Sequence, residues 1–179
     1  MKVIAFGASS SRKSINKQLA AHAANLAAQS NEDTDIEVLD LNDFEMPIFS
    51  QDEEEELGQP EAAKTFFKKL GESDAIIISF AEHNGSYTAA YKNLFDWASR
   101  IDQKVFQNKP MLLLATSPGP GGAGSVLAAA KGSAPYFAGE VKASLSIPSF
   151  YDNFDMENSR LNNEEFQQQL STAVADLLK

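Results

Sequence analysis

Phe80-Ala81-Glu82-His83-Asn84-Gly85-Ser86-Tyr87 stands where an apolar run gives way to a helical pattern, and its reading decides the fold. Ahead of it, Ala75-Ile76-Ile77-Ile78 is continuous apolar sequence, as in a strand buried on both faces. Behind it, Tyr91, Leu94, Phe95 and Trp97 recur at near-helical spacing. A strand that stops at Asn-Gly-Ser and restarts as a helix leaves backbone N–H groups pointing outward at its carboxyl end. In open α/β sheets that rim is where ligands bind. The stretch therefore predicts a buried parallel strand with a planar cofactor at its carboxyl edge.

The same alternation extends in both directions. Lys2 to Phe6 reads as a first strand ending at Gly7, and Ser14 to Gln29 as a helix with Ile15, Leu19, Ala23, Leu26 and Ala27 on one face. Ile36 to Leu41 is a second strand. A long connection follows, holding Met46-Pro47-Ile48-Phe49 and the acidic run Asp52 to Glu56, which reads as a solvated loop. Pro60 opens a helix whose apolar face includes Ala63, Phe66, Phe67 and Leu70. Beyond the third strand, Ala75 to Phe80, a helix runs to about Ile101. Met111 to Ala115 is a fourth strand, Ala123 to Phe137 a helix, Val141 to Ile147 a fifth strand. Asn163 to Leu178 closes the chain as a helix capped near Asn162. Five strands separated by helices predict an α/β fold: a parallel, doubly wound sheet in three layers with right-handed connections. No repeat or linker divides residues 1–179, so one domain is expected.

Composition removes several functions. The chain has no cysteine, which excludes disulfides, thiolate chemistry and cysteine metal sites; with only His22 and His83, a histidine-rich metal site is excluded too. The 25 acidic residues outnumber 15 basic ones, giving a formal charge of -10. Such a field repels nucleic acid and anionic membranes, while leaving room for one basic pocket that takes a phosphate. No leader-like or membrane-length apolar segment appears, so a cytoplasmic protein is expected.

Three loops carry the chemistry. Gly7-Ala8-Ser9-Ser10-Ser11-Arg12-Lys13-Ser14-Ile15-Asn16 joins a buried strand to a helix, bringing four hydroxyls, an arginine and a helix amino terminus together. That combination suits a phosphate dianion. Neither the Gly-x-x-x-x-Gly-Lys-Ser/Thr nor the Gly-x-Gly-x-x-Gly pattern is present, which points to a phosphomonoester. A Ser-rich turn with Ser14 or a neighbour as helix cap explains this loop alone equally well. The loops after strands three and four, Glu82 to Ser86 and Thr116 to Gly122, are glycine-bearing and suit close approach to a flat polar ring. One phosphate loop and two ring loops match a mononucleotide such as FMN at the switch point of a flavodoxin-like sheet.

With those motifs in view, the chain resembles the NADPH-dependent FMN reductase family, which includes flavin, quinone, azo-dye and chromate reductases. Ser9, Ser11, Ser14 and Asn16 fall in register with the family's Gly-Ser-x-Arg/Ser-x-x-Ser-x-Asn phosphate motif. Glu82-His83-Asn84-Gly85-Ser86 followed by Lys92-Asn93-x-x-Asp96-Trp97 resembles its Pro-Glu-Tyr-Asn-Gly-Ser…Leu-Lys-Asn-x-x-Asp-Trp stretch. Lys109-Pro110 and Ser117-Pro118-Gly119-Pro120-Gly121-Gly122-Ala123 resemble its fourth strand and loop. There are departures. Ser11 stands where arginine is frequent, with Arg12 displaced by one position. Ala81 and His83 replace a proline and a tyrosine, and Thr88-Ala89 replaces Pro-Gly.

The resemblance implies a flavodoxin-like strand order of 2-1-3-4-5, FMN as cofactor and NADPH or NADH as co-substrate. It implies a small-molecule acceptor such as a flavin, quinone or azo compound, and a homodimer or homotetramer. FMN contacts are expected at Ser9, Ser11, Arg12, Ser14, Ile15, Asn16, Glu82, His83, Asn84, Gly85, Ser86, Ser117, Pro118, Gly119, Gly121 and Gly122. Flavin chemistry requires no side-chain acid or base, so no catalytic residue is expected. His83 either donates a hydrogen bond to an anionic acceptor or is a plain polar rim residue. The aromatic stretch Pro148 to Phe154 either covers the site's mouth or seats the last helix. A flavodoxin-like electron carrier is the alternative, told apart by direct reaction with NAD(P)H.

Overall fold

The computed structural model describes residues 1–179. Its central sheet contains β1 (Lys2–Ala8), β2 (Asp35–Leu39), β3 (Ala75–Phe80), β4 (Lys109–Thr116) and β5 (Gly139–Ile147). The order is β2-β1-β3-β4-β5 and every pairing is parallel. Because successive residues of a strand face opposite ways, the continuous apolar runs supply two cores at once. Ile4, Phe6, Ile76, Ile78, Met111 and Leu113 belong to one core cluster. Val3, Ala5, Ile77, Leu112 and Leu114 belong to the other. The first is covered by α3 (Glu61–Glu72), α4 (Ala89–Ile101) and α5 (Gly124–Ser133); the second by α1 (Ile15–Ser30) and α7 (Glu164–Leu177). This is the expected flavodoxin-like fold, with β1 and β3 adjacent and the chain winding outward from them in both directions.

Local chemistry explains where elements begin and end differently from the sequence reading. β2 stops at Leu39 because Asp40 accepts a bond from the Asn42 N–H at 2.9 Å and starts a 3-10 turn over Leu41–Phe44. The acidic run is not a loop. It is helix α2 (Gln51–Leu57), opened by Ser50, whose hydroxyl accepts from the Glu53 N–H. Acids in a first turn face the positive end of the helix dipole, which favours them there. The helix after β4 ends at Ser133, and a 3-10 turn at Ala134–Phe137 completes the crossover. Asn163, one residue later than expected, caps α7 by accepting from the Glu165 and Phe166 N–H groups. Between β5 and α7 lie a short helix, α6 (Phe150–Asn153), and a small antiparallel hairpin of β6 (Phe154–Asp155) and β7 (Arg160–Leu161). No helix is long and apolar enough to cross a membrane.

His22 on α1 anchors that hairpin. Its ring meets Phe154 edge-on at 5.9 Å, and its Nε2 lies 2.9 Å from Gln167 Oε1 on α7. Burial lowers its pKa from the ordinary 6.5; the Gln167 bond opposes the shift and Arg160 adds to it. A base that resists protonation when folded binds fewer protons than in the unfolded chain, so stability rises with pH. The contribution is complete above the unfolded value and is lost as pH falls through the lowered folded value. Thermal melts should therefore show a decline as pH falls below the ordinary histidine value of 6.5, and that decline should flatten in His22→Gln. Parallel pH profiles for the two proteins would count against this role.

Candidate functional site

At the carboxyl edge of the sheet, the loop from β1 to α1 is arranged as a surface of donors. Ser9 Oγ accepts from the Ser11 N–H at 3.1 Å, and Ser14 Oγ, the α1 cap, accepts from the Lys17 N–H at 3.1 Å. Hydroxyls whose oxygens are so engaged keep their hydrogens for an acceptor. The first N–H groups of α1 also lack intrahelical partners. The helix can begin this close to the strand because position 7 is glycine. A Cβ there would lie 2.4 Å from Lys17 N and 2.7 Å from Lys17 Cα.

Behind these hydroxyls Asn16 is buried, and its amide ties the ends of β3 and β4 to α1. Its Nδ2 donates to the Thr116 carbonyl at 3.1 Å. Its Oδ1 accepts from the Thr116 N–H at 3.1 Å and from Ser79 Oγ at 2.7 Å. Thr88, which caps α4, donates to the Ala8 carbonyl at 2.9 Å and ties the same edge to the next helix.

After β3 the chain makes a two-residue hairpin turn. His83 and Ser86 exchange main-chain bonds, N–H to carbonyl in both directions, at 3.0 and 3.2 Å. Asn84 and Gly85 sit between them at φ 53° and 76°. Two successive positive φ values define a type I′ turn, for which Asn-Gly is the favoured pair. The Ser86 N–H is thus spent on His83, while those of Asn84 and Gly85 have no main-chain partner. The loop after β4 is tied to the start of α6 by hydrogen bonds. The Phe150 N–H donates to the Ser117 carbonyl at 3.0 Å and the Ser149 N–H to the Gly119 carbonyl at 2.9 Å.

These elements enclose an open cavity of about 240 Å³. Of the sequence-predicted residues, Ser9, Ser11, Ser14, Ile15, Asn16, Glu82, His83, Ser117 and Pro118 line it. Arg12, Asn84, Gly85, Ser86, Gly119 and Gly121 do not; they are loop residues flanking it in sequence. Gly122 is a packing glycine, at φ 59°, where a Cβ would come within 2.3 Å of Ser146 Oγ on β5. Glu82 has a structural tie as well: its Oε2 accepts from the Val126 N–H at 2.9 Å and so caps α5. The cavity adds Lys13, Ala81, Thr116 and Tyr151 to the expected set. The signal for Tyr151 lay in the aromatic stretch 148–154, which divides its work. Phe150 and Phe154 stack at 4.6 Å in the core, while Tyr151 is 61 % exposed at the cavity wall.

A second hollow, of about 310 Å³, opens between α4 and α5 and is lined mainly by Phe80, Tyr87, Tyr91, Phe95, Phe106, Phe137 and neighbouring aliphatic groups. It lacks the donor array of the first. Its aromatic residues are helix and sheet packing, with Tyr91 buried and its hydroxyl pKa well above the usual 10.0 through burial. Trp97 and Asn93 face elsewhere and hold the long loop. Trp97 Nε1 donates to the Pro47 carbonyl at 2.8 Å, and Asn93 Oδ1 accepts from the Phe49 N–H at 2.8 Å. Ile48 is left 84 % exposed at its tip.

The profile of the NADPH-dependent FMN reductases matches residues 1–151, from β1 through the cavity wall at Tyr151. The chain belongs to that family. A 2-hydroxy-1,4-benzoquinone reductase of Burkholderia sp is 34% identical over 120 residues, 66% of this chain and 62% of the relative. An NADPH:quinone oxidoreductase of Arabidopsis thaliana is 31% identical over 122 residues, 68% and 61% of the two chains. The matched segment thus spans about three fifths of these relatives' length. Among solved structures, the flavoenzyme FerB of Paracoccus denitrificans superposes with TM-score 0.75 at 22% identity, covering 99% of this chain and 94% of its own. An FMN-dependent NADH-azoreductase of Bacillus anthracis, solved with FMN, gives 0.69 at 12% identity with both chains covered in full. These likenesses show the same fold across the whole sheet.

Proposed function

We propose that residues 1–179 form one FMN-binding unit that oxidises NADPH or NADH and reduces a small acceptor, a quinone foremost. One observation carries the reading: a donor surface of serine hydroxyls and the α1 amino terminus lies across one cavity from the β3 and β4 rim. That donor set fits a phosphomonoester, and the polar rim fits a flat heterocycle. When bound, FMN supplies the redox chemistry, taking hydride from the nicotinamide and passing electrons to the acceptor in turn.

The protein's part is to bind, orient and stabilise charge. The Ser9, Ser11 and Ser14 hydroxyls hold the phosphate. The unpartnered Asn84 and Gly85 N–H groups, in the turn that follows His83 just outside the cavity wall, are the fixed dipoles we assign to charge that develops on a ring reaching past that wall. No side chain is assigned as an acid or base. The cavity's single open side favours donor and acceptor entering in turn, and with it ping-pong kinetics. The quinone-reductase names of the relatives support the acceptor class. The exposed Ile48 tip supports assembly as a homodimer, and the formal charge of -10 supports a small-molecule partner over nucleic acid or an anionic membrane.

Anaerobic addition of NADPH, then NADH, to the FMN-loaded protein tests this. The visible absorption of oxidised flavin should bleach without any second protein and return on addition of a quinone, with parallel steady-state plots. Flavin that stays oxidised under both nucleotides, yet accepts electrons from a reductase protein, would replace the enzyme with an electron carrier.

A further inference from the structure

Three cations cluster at the start of α1, and the structure treats them differently. Lys17 is committed: its Nζ lies 2.5 Å from the Asp40 carboxylate at the end of β2. Arg12 is exposed and does not line the cavity. Lys13 does line it, directly before the Ser14 cap, and forms no ion pair. The cavity's one acidic side chain, Glu82, is held toward α5 by the Val126 N–H. Lys13 is therefore the one unpaired cation in the wall of a site whose hydroxyls face it as donors.

Resting on the FMN reading above, we infer that Lys13, not Arg12, is the charge that recognises the phosphate and separates FMN from riboflavin. The sequence favours Arg12, because an arginine forks onto two phosphate oxygens and stands nearest the family's position for one. Geometry reverses that preference. A lysine at the residue before the cap places a compact charge on a flexible stem over the helix amino terminus, where hydroxyls and N–H groups already supply the directional bonds. A point charge suffices there. Arg12 is left as a solvated residue of the loop.

Apoprotein titrated with FMN and with riboflavin, followed by quenching of flavin fluorescence, tests the assignment on four proteins: the parent, Lys13→Met, Lys13→Arg and Arg12→Met. Both positions are exposed, so folding is not at stake. Lys13→Met should weaken FMN about tenfold or more and leave riboflavin unchanged, as loss of one charge-assisted bond requires. Lys13→Arg should keep most of the affinity, and Arg12→Met should change it by no more than a few-fold. A Lys13→Met protein with parental FMN affinity, or an Arg12→Met protein weakened more than it, overturns the inference while leaving the FMN site standing. A parent that binds FMN and riboflavin alike overturns both.

Discussion

Replacing Asn16 with alanine is expected to lower the melting temperature by roughly 6–12 °C and to abolish tight flavin binding, although Asn16 is buried behind the donor surface. The substitution leaves the Thr116 N–H, the Thr116 carbonyl and the Ser79 hydroxyl without partners. All three lie where water has no access, since Ser79 and Thr116 are 0% and 1% exposed. A buried group so stranded costs about 1–3 kcal/mol, and the removed side chain leaves a void besides. At a total of about 3 kcal/mol or more, the shift for a chain of this size follows at about 2–4 °C per kcal/mol. Flavin binding falls because the same amide holds the ends of β3 and β4 in register with α1. Asn16→Asp should do nearly as badly: it keeps the size and the acceptors but turns a donor into an oxygen facing the Thr116 carbonyl. A circular-dichroism melt and a flavin titration read both effects. An Asn16→Ala protein that melts with the parent would remove Asn16 as the tie.

Gly7→Ala should be the next most damaging single change, and far worse than Gly85→Ala. At position 7 the added Cβ meets backbone: Lys17 N at 2.4 Å, Lys17 Cα at 2.7 Å and the Asn16 carbonyl carbon at 2.9 Å. Backbone atoms cannot swing aside as a lysine tip can. The amino end of α1 must retreat from β1, at a cost of about 1–3 kcal/mol typical of overpacking, and the phosphate donors retreat with it. At position 85 the added Cβ meets nothing within 4 Å, but φ is 76°. The penalty there is conformational and about 1 kcal/mol. Denaturant melts of the two variants should therefore rank Gly7→Ala below Gly85→Ala, with a weaker FMN affinity in the former. The reverse order would mean that the β1–α1 approach is looser than the structure has it.

What the sequence disclosed and what it withheld follow from the range of the interactions involved. β3 was legible to the residue, because a doubly buried strand demands unbroken apolar sequence; the type I′ turn was readable in Asn84-Gly85, but the sequence reading makes it only the end of the strand. Both are local requirements. The loop after β1 was legible as a hydroxyl-rich entry to a helix, but which of its residues line the cavity was not. Whether Arg12 or Lys13 lines the cavity depends on how α1 leaves β1, and that is set by the approach at Gly7, which no pattern encodes. Glu82 and Gly122 read as ring contacts because they belong to the two glycine-bearing loops at the sheet rim. Their partners, Val126 and Ser146, lie 44 and 24 residues away, and only the folded chain brings them together. The acidic run was misread for a different reason. Five consecutive acids suggest repulsion, yet three of them sit in the first turn of α2 behind a serine cap, where the dipole and the cap outweigh it.

The hairpin turn at 83–86 has a consequence for how such a protein diversifies. Its course is set by the two positive φ values at Asn84 and Gly85 and by main-chain bonds between residues 83 and 86. The side chains at 83 and 86 contribute nothing to it and are exposed. His83 nevertheless stands in the wall of the cavity. The course of the turn and the make-up of the cavity wall are thereby assigned to different atoms of one short segment. A substitution at 83 can alter the polarity and reach of the cavity wall while the folded scaffold remains indifferent to it. Position 83 is free to vary one side chain at a time, without mutations elsewhere to keep the chain folded.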